Sequence, residues 1–324
     1  MSIMLARPVT TSASIAVFFG VLWMASAEVA QDRADVAQDR PAGMAASKAE
    51  LLAMTPLWKG ERYADGRPKF PDHLLQRMKA VSIEDAWELL RKNGYHNQFE
   101  GGWKILHKDK PFVGRALTAA YLPGRPDLDE HILRTGKAEA RIGRPNSWPI
   151  DMLQKGDVYV ADGFGKVIDG TLMGDNLGTA IYARSGTGVV FHAGARDLEG
   201  LLRIDGFNAF VRDWDPSEIK GMVLTSINRP IRIGRAVVLP GDVILAKREG
   251  VLAIPVHLAE EVVVTGEIIA IKDEFGHLRL RERVYTPGQI DSPWTNEIKA
   301  DFFRWYKERK NNPSIPLKEI EKHL

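Results

Sequence analysis

The chain has 324 residues, with 44 Lys and Arg against 42 Asp and Glu, a formal net charge of +2 and no cysteine. That length supports one large domain or two modest ones, and 44% hydrophobic with 27% charged residues argues against disordered, collagen-like and multispanning membrane classes. The even charge balance provides no bulk attraction for nucleic acid, and the lack of cysteine excludes disulfides, thiolate nucleophiles and Cys-ligated metals, so any metal must be held by Asp, Glu, His or backbone oxygen.

Residues 1–27 read as a secretory signal: Arg7 supplies the positive start, Ile15 to Met24 is an apolar run too short for a stable span, and Ala25-Ser26-Ala27 gives the small-residue cleavage pattern. An uncleaved anchor is the plainer alternative. The expectation is an exported, periplasmic protein cut after Ala27, with no membrane association afterwards. Residues 28–50 are expected to form a disordered linker, in which Val-Ala-Gln-Asp-Arg occurs twice. Residues 51–81, broken by Pro56, Pro68 and Pro71, read as an irregular lead-in, with folded structure starting near Leu51.

Ser82 is a helix N-cap, Ile83 to Asn93 the helix and Gly94 its stop. Phe112 to Tyr121 reads as a strand, followed by a turn at Gly124-Arg125-Pro126. Short buried strands follow at Val158–Val160, Gly188–Phe191 and Asn208–Val211, with a helix at Leu177–Arg184. Ala236–Leu239, Val243–Ala246 and Val251–Ile254 form a β-rich stretch punctuated by Pro240-Gly241 and Glu249-Gly250. A helix is expected from His257 to about Ile271, against the β-branched run Val262 to Val264, and another over Trp294–Lys310. The whole reads as α/β: one main domain over 82–271 and a C-terminal extension with a helix over 272–324, with no long linker dividing 51–290.

The segment Asp169 to Leu202 carries the chemistry. Asp175 and Asn176 open a helix of about 15 Å, a Gly186–Gly188 turn reverses the chain, and a strand of about 16 Å runs back. The helix start and the strand end therefore share one edge, so Asp175 converges with Arg196-Asp197 across twenty intervening residues. Free N–H groups at Asp175, Asn176 and Leu177 favour a carboxylate, and Gly174 permits close approach of a ligand. Arg196 offers a planar fork for a carboxylate or a 2-keto oxygen, Asp197 is a hard donor for Mg²⁺ or Mn²⁺, and Asp175 is placed to orient a bound water. An Arg-Asp pair alone is most often a solvated ion pair, and a Gly-Asp-Asn helix start is most often only a cap. The combination is what points to a site.

These residues resemble the RraA-like family, which includes 4-hydroxy-4-methyl-2-oxoglutarate aldolases and whose pattern is an Asp, twenty residues, then Arg-Asp. The resemblance extends over Ser82 to Ile271, through Asn93–Asn97, Val113–Thr118, Gly156–Val160, Pro240–Ile244, Gly250–Pro255 and Leu258–Val262. It implies a swivelling β/β/α domain and a metal-dependent pyruvate aldolase. In that picture Asp197 binds the divalent ion, Arg196 and the ion polarise the 2-keto oxygen, and the amides of Asn176 and Leu177 hold the 1-carboxylate. Deprotonation of the 4-hydroxyl, with Asp175 moving the proton through a water, then breaks C3–C4 of a 4-hydroxy-2-oxo acid. Oxaloacetate decarboxylation is the implied side activity. The family further implies a homotrimer or hexamer with sites at subunit interfaces and a Glu from a neighbouring subunit, for which Glu282 is a candidate and a surface charge the plainer reading.

The family also includes a protein inhibitor of ribonuclease E, so a non-catalytic binding or regulatory protein is the rival from another class. A related lyase or hydratase on a sugar acid is a third reading. Export and the long flanking segments depart from the usual aldolase. Other signals are weaker. Gly163, Gly165 and Gly170 match no nucleotide loop, and no glycine-rich loop suits an adenosyl cofactor. His192 reads first as a packed strand-end residue, His257 lacks the second His of a zincin, and Arg229, Arg232 and Arg235 read as a solvated face.

Overall fold

The structure is a computed structural model that describes residues 43–309 and 315–324. The expected signal at 1–27 and the linker up to residue 42 lie outside the described residues. Within them, eight strands form one continuous path. In chain order they are β1 (Phe99–Glu100), β2 (Lys104–Ile105), β3 (Phe112–Pro123), β4 (Asp157–Asp162), β5 (Gly188–Ala195), β6 (Asn208–Trp214), then β10 (Val243–Lys247) and β11 (Gly250–Ile254), with β7 (Met222–Ile227), β8 (Ile231–Ile233) and β9 (Ala236–Val238) between. The order is β1-β11-β10-β3-β4-β5-β6-β2, and β7 pairs with the second half of β3. Strands β3 to β6 are parallel neighbours, while β10, β11, β1 and β2 join antiparallel.

The two ends of this path are β1 and β2, which three residues separate in sequence. A trans chain rises at most about 3.6 Å per residue, so the segment 99–105 draws the opposite ends of the sheet together and curls it towards a barrel. Arg212 of β6 seals the seam, donating to the Gly101 carbonyl (3.1 Å) and to Glu100 Oε1 (2.8 Å) while stacking on Trp103.

Side chains alternate between the two faces. On β3, β4, β5 and β6 the residues Ala116, Val158, Val160, Val190 and Phe210 pack on the inner face with Ile231, Ile233 and Val238 of the β8–β9 pair. The alternate residues Leu117, Tyr159, Phe191 and Val211 pack outwards against helices. Both faces are covered, which is why these strands read as continuous apolar runs rather than as polar–apolar alternation.

The helices are α1 (Lys48–Met54), α2 (Asp72–Met78), α3 (Ile83–Lys92), α4 (Pro126–Ala138), α5 (Trp148–Asp151), α6 (Asp175–Ser185), α7 (Leu198–Leu202), α8 (Ala259–Arg281), α9 (Pro287–Ile290), α10 (Asn296–Glu308) and α11 (Leu317–Lys322). As expected, Ser82 caps α3 by accepting from Asp85 N (3.0 Å). The structure corrects several other expectations. Residues 43–50 are not a disordered linker: Met44 and Ala46 are buried, Ala46 N donates to the Ile227 carbonyl, and Ser47 and Glu50 form a reciprocal capping box on α1. The lead-in is ordered and carries α1 and α2. Helix α8 begins at Ala259 after a single 3₁₀ turn and runs without a break through Ile271 to Arg281. Its Val262 and Val263 are buried against α2 and α3, so packing outweighs the weak helix preference of β-branched residues. The last long helix starts at Asn296, because Thr295 is its N-cap. No helix among the described residues is long and apolar enough to cross a membrane.

Candidate functional site

The chain leaves β4, loops through residues 163–174 and enters α6 at Asp175; Gly186, left-handed at φ 67°, ends the helix and turns it into β5. The loop is held against β5 by Leu172 N to the Gly194 carbonyl (3.0 Å), and Arg196 N donates to the Met173 carbonyl (3.0 Å). The start of α6 and the end of β5 thus lie side by side, beyond the carboxyl ends of the parallel strands, where open α/β sheets place their ligand crevices.

A cavity of about 280 Å³ opens there, and Gly174, Asp175, Asn176, Leu177, Arg196 and Asp197 all line it. All six residues expected at the site are therefore on one wall system. Gly174 leaves the carboxylate its place: a Cβ at that position would stand 2.0 Å from Asp197 Oδ2 and 3.3 Å from Arg196 Nε, so a larger residue would push both side chains aside. Arg196 Nε and Asp197 Oδ2 are 3.8 Å apart, and their side chains are 43% and 40% exposed, so both remain open to a ligand. Asp197 is left-handed at φ 58° and serves as the N-cap of α7, its carbonyl accepting from Gly200 N (2.9 Å) and Leu201 N (3.0 Å). That conformation, costing on the order of 1 kcal/mol outside glycine, turns the Asp197 carboxylate back towards Gly174.

One expected feature differs. The Asn176 N–H is engaged by Asp175 Oδ1 at 2.8 Å, so an incoming carboxylate must share or displace that bond. Sequence reasoning also missed part of the wall: Arg144, Asn146, Thr171, Glu218 and Ile219 line the same cavity. Asn146 donates to the Leu172 carbonyl (3.1 Å), Thr171 Oγ1 to the Ser217 carbonyl (2.5 Å), and Arg144 lies 3.7 Å from Glu218. Thr171 lies in the loop that leads into α6, while Arg144, Asn146, Glu218 and Ile219 arrive on loops distant in sequence and carry no local motif.

The other singled-out residues are placed elsewhere. His192 faces Asp162 (Nδ1 to Oδ1, 3.3 Å) and does not line the cavity. The glycine loop packs back on β5, with Gly163 N and Gly165 N both donating to the His192 carbonyl. Glu282 pairs with Arg279 at 2.7 Å on the C-terminal end of α8. Arg229 pairs with Glu50 and Arg235 with Glu100, while Arg232 is exposed on β8. Among the described residues no group of three or more His, Asp or Glu side chains is gathered to hold a metal by protein ligands alone. The donor set fits a hard divalent ion only in the form that needs one protein carboxylate, Asp197, with water and substrate oxygens completing the shell. The side-chain-free space that Gly174 leaves beside Asp197 Oδ2 is compatible with that arrangement.

Comparison with known proteins agrees with this fold. Residues 80–253 match the RraA-like family, described as Aldolase/RraA. Protein DlpA of Legionella pneumophila is 32% identical over 177 residues, which is 53% of this chain but 26% of that protein, so the chain spans about a quarter of that relative's length. Among solved structures, Streptomyces coelicolor RraAS2, described as an unusual member of the RNase ES inhibitor RraA protein family, superposes with a TM-score of 0.55 at 22% identity, covering 65% of this chain and all of that one. An uncharacterized protein from Pseudomonas syringae pv. tomato gives 0.57 at 19% identity, covering 72% and 98%. A matched segment that takes in β1 to β10, α6 and the Asp175, Arg196 and Asp197 wall makes this chain a member of the RraA-like family.

Proposed function

We propose that the protein is a divalent-metal-dependent lyase that cleaves a 4-hydroxy-2-oxo acid to pyruvate. The observation that carries the reading is the convergence of Asp175, Arg196 and Asp197 on one cavity at the start of α6. Asp197 would hold Mg²⁺ or Mn²⁺, and the bound ion would supply Lewis-acid polarisation of the 2-oxo group. Arg196, directed into the same cavity, binds the 2-oxo oxygen and stabilises the negative charge that develops there. The amide end of α6 takes the 1-carboxylate. Asp175 holds the proton lost by the 4-hydroxyl, directly or through a water. As that proton leaves, the C3–C4 bond breaks, its electron pair stays with the pyruvate half as the enolate, and C3 is then protonated. Oxaloacetate decarboxylation uses the same enolate and is the expected side activity. A homotrimer or hexamer, exported to the periplasm and cleaved after Ala27, completes the proposal.

The test is pyruvate release by the full protein from oxaloacetate and a panel of 4-hydroxy-2-oxo acids, with Mg²⁺ or with EDTA. Activity is expected with Mg²⁺ and lost with EDTA. Asp197→Ala is expected to abolish it in a protein with an unchanged circular dichroism spectrum, and Arg196→Ala to lower kcat by about two orders of magnitude or more. Full Mg²⁺-dependent activity in Asp197→Ala would overturn the assignment. No turnover and no Mg²⁺ binding in the folded protein would favour a non-catalytic binding role.

A further inference from the structure

A second cavity, of about 520 Å³, lies where the lead-in meets the domain, and its lining shares no residue with the first. That volume falls within the roughly 300–1,000 Å³ typical of small-molecule sites. Leu57 and Trp58 come from the lead-in, Tyr95 from the chain after α3, Val237 from β9 and His257 from the turn before α8. Residues 54–58 and 255–257 of this wall fall outside the segment 80–253 that matches the family, so the family segment alone does not build the cavity.

The wall is fixed in advance. The Arg62 guanidinium donates to Thr55 Oγ1 (2.8 Å) and to the carbonyls of Thr55 (2.7 Å), Trp58 (3.1 Å) and Gly66 (2.9 Å), pinning the loop that carries Leu57 and Trp58. On the same cavity, the Tyr95 hydroxyl and His257 Nε2 are 3.2 Å apart, and their rings are tilted with centroids at 5.9 Å. Leu57 and Val237 are 59% and 41% exposed, an apolar rim on an aromatic cavity. Such a surface is costly to leave in water and favours a ring that stacks or packs edge-on.

The charges define the ligand further. No Lys or Arg lines the cavity, and its one carboxylate, Asp242, accepts backbone N–H groups from Leu239 (2.8 Å) and Val256. Burial also lowers the His257 pKa, disfavouring the charged imidazolium. An anion therefore finds no Lys or Arg counter-charge here, only the exposed His96, in contrast to the Arg144 and Arg196 cavity. We infer that this cavity binds an uncharged aromatic or heteroaromatic small molecule, held between Trp58 and the Tyr95–His257 pair.

The test titrates the full-length protein with indole, and separately with indole-3-carboxylate, by isothermal titration calorimetry and ligand-observed NMR. Indole is expected to bind saturably, at least tenfold tighter than the carboxylate. Val237→Lys, on an exposed rim position, is expected to reverse that preference. Trp58→Ala is expected to weaken indole at least tenfold, with the melting curve as the check on folding. Oxalate, a probe for the first cavity, is expected to leave indole binding unchanged, so the result is independent of the lyase reading. Absent or non-saturating binding, equal binding of both probes, or binding indifferent to both substitutions would overturn the proposal.

Discussion

The carboxyl of Asp242 is enclosed at a turn between two strands, and its burial pushes it up to about 7 despite the two backbone N–H groups that it accepts. Because the folded value is raised above that of the unfolded chain, the stability tied to the protonated group is fully present below the ordinary carboxylate range and lost as pH rises through about 7. Asp242→Asn removes the titration and loses one acceptor, so the variant is expected to unfold more easily at pH 4, with the difference from the native protein shrinking towards pH 8. Urea unfolding across that range measures it; a difference that grows with pH would refute the assignment. At this scale the sequence was informative where chemistry and spacing coincide. Asp175, Arg196 and Asp197 could be located because a helix and a strand of matched length return to one edge. Arg144 and Glu218 could not, because only the closed fold brings residues 144 and 218 to that edge.

Secondary structure was legible where caps and apolar periodicity agree, as in α3, and illegible where a close contact dictates an unusual residue. Helix α4 is the clearest case. No element was expected between Pro126 and Val158, yet a helix forms there with Gly136, a poor helix former, inside it; the Trp148 ring packs on that glycine, and a Cβ there would stand 2.1 Å from the ring. The lead-in is similar: its prolines read as irregular, but long-range polar contacts order it. Arg67, fully buried, donates to Asp157 Oδ2 (2.7 Å) at the start of β4, and Arg115 Nε lies 3.8 Å from the other carboxylate oxygen. Arg67→Met removes one guanidinium and leaves the buried carboxylate under-paired, with an expected loss of about 3–5 kcal/mol. Urea titration gives the magnitude, and limited proteolysis is expected to cut first within residues 55–71. A change below about 1 kcal/mol would mean that the lead-in is held by its apolar contacts alone.

At the level of the whole molecule, the C-terminal extension has its own core. Phe275 from α8, Phe302 and Tyr306 from α10, Trp294 and Ile320 form a cluster separate from the three that cover the sheet. Helix α8 belongs to both, with Val262 and Val263 on the sheet side and Ile268 to Phe275 in the extension. Phe302→Ala is expected to cost about 3–5 kcal/mol locally. Amide exchange is expected to accelerate in α9 to α11 while β3 to β6 keep their protection; uniform acceleration would show that the extension and sheet unfold as one unit. The sequence marked this region as a helical extension but set its boundary at residue 271, inside α8, because a continuous helix shows no break to mark where one core ends and the next begins.

The short segment from Phe99 to Ile105 has a wider consequence. Strands β11 and β6 each have an outer row of backbone donors and acceptors, and a long bare row of that kind is a template on which foreign chains aggregate. Here one heptapeptide covers part of both rows, pairing with Val251 and Leu252 on one side and Phe210 and Val211 on the other. A single backbone nick between Gly101 and Gly102 would unlink the two covers and leave each edge held by only two paired residues, so the continuity of this heptapeptide protects both edges as well as shaping the sheet.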